Sequence, residues 1–163
     1  MPATPEDLFA RLESLGIATE TVWHAPVFTV LEAQAARGKL PGVHCKCLFL
    51  RDKKGALWLV AAEESRRVDL KALAARLGAD RFSFASPERL MAHLGVAPGT
   101  VTPFALINDA ERTVRVALDA AMLTGGTLHF HPLTNAATTR ITADDLLKFI
   151  RACGREPEII ELG

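Results

Sequence analysis

Two short runs carry the side chains best suited to chemistry: His44-Cys45-Lys46-Cys47 and His129-Phe130-His131. Thiolates and imidazoles are zinc ligands, so the two runs together permit a metal-dependent hydrolase. The spacing argues against it. On a strand, Cys45 and Cys47 share one face while His44 and Lys46 share the other. A Cys-x-Cys pair is also tighter than the two to four residues that separate the cysteines of structural zinc sites. The alternative is that both cysteines are small core hydrophobes beside Phe49. Lys46 interrupts an otherwise apolar strand, where lysine is rarely buried without a partner. Either this strand face is wet and the lysine reaches solvent, or its ammonium meets a phosphate or carbonyl at a pocket mouth.

Gly99-Thr100-Val101-Thr102-Pro103 is the next candidate. Pro98-Gly99 permits a positive φ turn, and a glycine lets backbone N–H groups approach a ligand closely. Without a ligand the same segment is an ordinary helix-to-strand connector. His131 precedes Pro132 at a strand end, with Thr134 and Asn135 after it; it can line a pocket or be a hydrogen-bonded surface residue. Arg51, Lys53, Lys54, Arg66, Arg67 and Lys71 form a basic group interspersed with Asp52, Glu63, Glu64 and Asp69. It suits an RNA end or a solvated face. No phosphate-binding glycine loop, dinucleotide fingerprint or Gly-x-Ser-x-Gly elbow is present, and no metal or cofactor is expected.

These residues need elements to hold them. Thr4-Pro5 opens a helix carrying Leu8, Leu12 and Leu15, which Gly16 stops. Residues 21–24 read as a short strand and 31–37 as a short helix. Residues 45–51 and 56–62 read as strands joined by an Asp52-Lys53-Lys54-Gly55 turn. Helices are expected over 69–77 and from Ser86 to Leu94, with a short strand at 82–84 between them. Residues 104–107 and 113–118 are expected to form a second strand pair, turning at Asn108-Asp109. Residues 127–130 read as a strand, Thr142 caps a helix through Ile150, and 157–162 closes as an edge strand. Tight turns between strands predict antiparallel neighbours. The expected fold is α+β: one domain over 1–163, with a mixed, mainly antiparallel sheet flanked by helices.

Composition narrows the class further. The 163 residues are 49% hydrophobic and 23% charged, with 19 basic and 19 acidic side chains. A neutral chain is not built to coat long duplex DNA, although a short single-stranded end remains possible. The three cysteines, an odd number, argue against a disulfide framework and for a reducing, cytoplasmic setting. No apolar run is long enough to span a membrane, and the first residues lack the pattern of a signal peptide.

The strings themselves resemble a known family. His44-Cys45-Lys46-Cys47-Leu48-Phe49-Leu50 followed by Asp52-Lys53-Lys54-Gly55 is similar to the bacterial prolyl-tRNA editing family, the YbaK/ProX-type deacylases. So are Arg66-Arg67-Val68-Asp69, Phe82-Ser83-Phe84, Gly99-Thr100-Val101-Thr102-Pro103-Phe104, Leu106-Ile107-Asn108-Asp109 and Phe130-His131-Pro132 with Thr134-Asn135. The resemblance covers residues 20–150 and is strongest to the free-standing ProX branch. It implies an editing-domain fold and hydrolysis of alanine from mischarged proline tRNA. A cysteine or other small-amino-acid deacylase, or a non-catalytic module that binds a tRNA end, are the alternatives. The resemblance implies that Lys46 helps hold substrate, that Gly99 to Pro103 lines the pocket and that His131, rather than His129, is the late histidine. Lys46, Gly99 and His131 are the expected catalytic group, and Val30, Leu31, Phe49, Thr102, Pro103 and Asn135 the expected substrate contacts, with Phe28 a further pocket candidate. The implied partners are the acceptor end of aminoacylated proline tRNA and prolyl-tRNA synthetase.

Overall fold

A computed structural model describes residues 2–25, 43–124 and 126–162. Helix α1 (Pro5–Ser14) starts where the sequence places it: Thr4 Oγ1 accepts from the Asp7 amide, and the Asp7 carboxylate accepts from the Thr4 amide. Strand β1 (Glu20–Trp23) follows, then β2 (Val43–Asp52) and β3 (Leu57–Glu63). The β2–β3 turn is built around Asp52. Its Oδ1 accepts from the Lys54 and Ala56 amides, each at 2.9 Å, and Gly55 takes φ +93°. Helix α2 (Leu70–Leu77), β4 (Phe82–Phe84) and helix α3 (Pro87–Leu94) come next. After them are a 3₁₀ helix (Pro103–Asn108), β5 (Val114–Asp119) and the short α4 (Ala120–Leu123). Strands β6 (Thr127–Phe130) and β7 (Ala137–Thr142), helix α5 (Ala143–Ala152) and β8 (Glu158–Ile160) complete the described chain.

The strands form one mixed sheet in the order β1-β7-β6-β2-β3-β5-β8, with β4 also paired to β2. The β1–β7, β6–β7, β2–β3 and β2–β4 ladders are antiparallel. The β2–β6, β3–β5 and β5–β8 ladders are parallel. The α+β expectation holds, with more parallel pairing than tight turns alone suggest. The parallel partners lie far apart in sequence, where turn reading has no purchase.

Two local expectations need correction. Residues 104–107 do not form a strand. Thr102 Oγ1 caps a 3₁₀ helix by accepting from the Phe104 amide at 3.3 Å, and Pro103 starts it. Phe104, Ala105 and Leu106 are consecutive and all buried, so the run carries no periodicity that could separate helix from strand. Strand β7 was not anticipated. Its burial alternates along Ala137, Thr139 and Ile141, but only the last is a strong hydrophobe. Thr139 is buried because its hydroxyl meets that of Thr21 at 2.7 Å, a partner that tertiary pairing alone provides. The helix expected over 31–37 lies outside the described residues.

Alternation divides side chains between the two faces. Cys45, Cys47 and Phe49 pack into the larger core with Leu59, Ala61, Leu118, Leu128, Phe130 and Ile141, under α1, α3, α5 and the 3₁₀ helix. Leu48 and Leu50 point to the other face and join Trp58, Val60 and Ala117 beneath Leu73 and Ala74 of α2. Lys46 belongs to this second face. Among the described residues, no helix is long and apolar enough to cross a membrane.

Candidate functional site

The site follows from an interruption in pairing. On one flank β2 is matched to β3 from Cys45↔Glu63 through Arg51↔Leu57. On the other flank it pairs with β6 at Val43↔Leu128 and His44↔His129, then with β4 from Leu50↔Phe84. Among the described residues, Lys46, Cys47 and Leu48 have no strand on that flank. The Phe49 carbonyl faces it, accepting from the Ala85 amide at 3.0 Å. Peptide groups two residues apart point the same way in a strand, so the Cys47 peptide faces the opening too. Half-buried Cys45, Cys47 and Ala85 pack against the core along this stretch.

Lys46 sits beside this opening. The His44↔His129 pairing puts Lys46, two residues on from His44, on the same sheet face as His129. Lys46 Nζ donates to the Arg66 carbonyl. Arg66 Nε in turn donates to Asp119 Oδ2 at 3.2 Å, and the fully buried Asp119 also accepts from the Ala121 amide at 3.1 Å. The chain from Asp119 through Arg66 therefore fixes the carbonyl that holds the ammonium. A side chain tethered by one neutral acceptor keeps two N–H donors for a substrate.

His131 Nδ1 donates to the Ala137 carbonyl at 2.8 Å, which leaves Nε2 as an acceptor. Burial pushes its imidazole below the usual histidine range, against the raising effect of that hydrogen bond; His24 lowers it further. His24 faces it edge-on, with ring centroids 6.5 Å apart. His24 Nε2 meets the Thr138 hydroxyl at 2.9 Å. His44 and His129 stack at 4.5 Å between centroids, 24° from parallel. These four rings share the Lys46 face, whereas Cys45 and Cys47 point into the core. The zinc grouping of both runs is therefore split across the sheet. Burial, reinforced by Cys45, pushes the Cys47 thiol well above its usual value, so it stays protonated.

The remaining sequence candidates fall in different places. Gly99 is exposed at φ +88°, with open space where a Cβ would stand, while the buried Thr100 already donates its amide to the Ala97 carbonyl at 3.0 Å. Thr102 and Pro103 are buried, and Val101 packs against the larger core. No hydrogen bond or ring contact among the described residues joins this segment to Lys46 or His131. Phe49 is 4% exposed and belongs to the core, so its side chain supports the opening from below. Asn135 is half-buried in the turn between β6 and β7, where Leu133 takes φ +66°. A branched residue held left-handed marks this turn as over-determined by its surroundings. Val30, Leu31 and Phe28 lie outside the described residues. Sequence reading missed His24, Arg66 as an anchor, Asp119 and Leu133. For His24 a signal existed: it stands two residues before a proline at a strand end, much as His131 stands one before.

This architecture is that of an editing domain. A solved candidate trans-editing enzyme for prolyl tRNA synthetase superposes with a TM-score of 0.76 at 23% identity, covering 99% of this chain and 98% of the other. The family model described as "Aminoacyl-tRNA editing domain" matches residues 24–149. The prolyl-tRNA editing protein ProX of Acetoanaerobium sticklandii is 35% identical over 156 residues, covering 95% of each chain. The prolyl-tRNA synthetase associated domain-containing protein 1 of Bos taurus is 41% identical over 155 residues, covering 92% of this chain and 90% of that one. The chain belongs to the aminoacyl-tRNA editing domain family, and its activity class is aminoacyl-tRNA deacylation.

Proposed function

We propose that this protein hydrolyses alanyl-tRNA(Pro), releasing alanine and free tRNA. The carrying observation is the stretch of β2 that, among the described residues, is unpaired on one flank, where the tethered Lys46 ammonium shares a sheet face with the histidine cluster of His44, His129 and His131. Alanine is smaller than proline, so a synthetase pocket shaped for proline cannot exclude it by size. A missing methylene is worth only about 1–3 kcal/mol of discrimination, and a second site that admits the smaller group supplies the rest.

In this reading Lys46 leaves the Arg66 carbonyl, or adds to it, to hold the phosphate or sugar of the terminal adenosine. Water attacks the ester carbonyl carbon, and the Gly99 amide takes the oxyanion. The bond to the ribose oxygen then breaks and that oxygen takes a proton. The vicinal ribose hydroxyl helps to orient the water, so no protein nucleophile is needed. His131 shapes the pocket with Asn135, Thr102 and Pro103, and Val30, Leu31 and Phe49 set its size. The setting is cytoplasmic, on free tRNA or beside prolyl-tRNA synthetase.

A deacylation panel on proline tRNA carrying alanine, cysteine, serine or proline tests this. Alanine should be released fastest and proline retained. Faster release of cysteine would reassign the specificity, and release of none would leave a tRNA-end binding module.

A further inference from the structure

The second face carries another feature, at the opposite end of the β2–β3 hairpin. A cleft of about 280 Å³ is lined by Trp58, Val114, Val116, Arg112, Arg115 and Arg155, with Glu156 and Glu158 at its rim. Its charges are not equivalent. Arg155 is spent: its side chain is 7% exposed, ion-paired to Asp109, and donates to the carbonyls of Val114, Cys153 and Asp109. Glu156 is neutralised by a two-pronged pairing with Arg151, the closest contact being 2.8 Å. Among the described residues, Arg112 and Arg115 have no carboxylate partner. The Arg115 guanidinium lies 5.6 Å from the centre of the Trp58 ring. Arg112 holds φ +57°, a left-handed conformation that arginine rarely takes, and its guanidinium occupies the space where Gly154 lacks a Cβ. Both cations are thus positioned without being neutralised.

We infer that this cleft binds one phosphodiester phosphate of the tRNA while the charged 3′ end occupies the Lys46 site. Planar guanidiniums suit a phosphate's paired oxygens. Two free cations against Glu158 leave a surplus of one positive charge, which matches a single phosphodiester better than a multiply charged free nucleotide. Position supports the same occupant. Trp58 and Arg115 lie on the Lys46 face, because Leu50↔Trp58, Lys46↔Ala62 and Trp58↔Arg115 are direct ladder partners. Trp58 and Ala62 are roughly 13 Å apart along β3, and Val60 between them is buried beneath α2, so a nucleic acid strand that meets both sites passes around that helix. Lys53 and Lys54 stand exposed at the adjacent hairpin tip. The inference rests on the tRNA reading for its ligand and on the cleft for its place.

The test compares wild type with R112A/R115A and with the milder R112Q/R115Q. Uncharged proline tRNA binding is measured across a salt series, and deacylation is measured on full-length alanyl-tRNA(Pro) and on a minimal fragment, the alanylated terminal adenosine alone, which is too short to reach the cleft. The variants should bind tRNA about tenfold more weakly, and the salt slope should fall by about one. KM should rise on full-length substrate while kcat, and both constants on the fragment, stay at wild-type values. Unchanged tRNA affinity and slope would overturn the inference, as would equal losses on fragment and full-length substrate. Inorganic phosphate displacing no tRNA while binding the cleft tightly would also overturn it, assigning the site to a free anion. If wild type deacylates no charged tRNA, the proposed activity fails, but uncharged tRNA binding still decides the cleft.

Discussion

The two flanks of β2 differ in continuity. Toward β3 the ladder is unbroken, and the side chains it aligns, Leu59, Val60 and Leu50, are fully buried. Toward β6 and β4, among the described residues, the strand is paired at both ends and unpaired in the middle. The continuous flank supplies a full ladder of hydrogen bonds, and along the other, among the described residues, the half-buried Lys46 lies on a stretch with no strand partner. A strand fastened along one edge and at both ends is preorganised in between.

Substitutions should separate the flanks. Lys46→Ala on the open flank should lower kcat/KM for alanyl-tRNA(Pro) by about 10²–10³-fold, the scale of losing one charge-stabilising contact. Circular dichroism and the thermal midpoint should stay near wild type. If that variant deacylates normally, the open flank is not the site. Leu59→Ala on the continuous flank should do the reverse. It should cost about 2–5 kcal/mol in chemical denaturation, with activity per folded molecule retained. Asp119→Ala removes both the Arg66 anchor and a helix cap. A stability loss of about 0.5–2 kcal/mol and a rise in KM of several-fold are expected.

His131 sharpens the comparison through pH. Its folded pKa lies below the unfolded value of about 6.5, so below that pH the unfolded chain binds the proton more readily. Stability from the neutral imidazole is present above that range and is lost as pH falls toward and through the folded pKa. Denaturation midpoints followed from pH 7.5 to 5 should therefore drop more steeply for wild type than for His131→Asn, which keeps a donor for the Ala137 carbonyl. The smallest effect is expected for Cys47→Ala, about 1 kcal/mol of stability and near-normal deacylation. A large catalytic loss there would mean that the thiol itself acts.

Much of the local structure was legible in the residues. Thr4-Pro5, Asp69, Ser86-Pro87 and Thr142 cap helices as their side chains allow, and Gly78 and Gly95 end two of them in left-handed geometry. Asp52 and Gly55 define the hairpin that carries Lys46. Alternation along 45–50 already separated the thiols from the ammonium. These are short-range rules, acting within a few residues.

Which distant strands lie beside one another was decided only by the tertiary structure. Parallel pairing of β2 with β6 joins residues far apart in sequence, and from it come the shared face of Lys46 and the histidine cluster and the stacked His44 and His129. The buried pairing of Asp119 with Arg66, the burial of Thr139 and the collection of Arg112, Arg115 and Trp58 around one cleft have the same origin. Side-chain period and capping act along the chain. Register between distant strands is selected by burying the shared core, a property of the whole sheet that no single segment encodes.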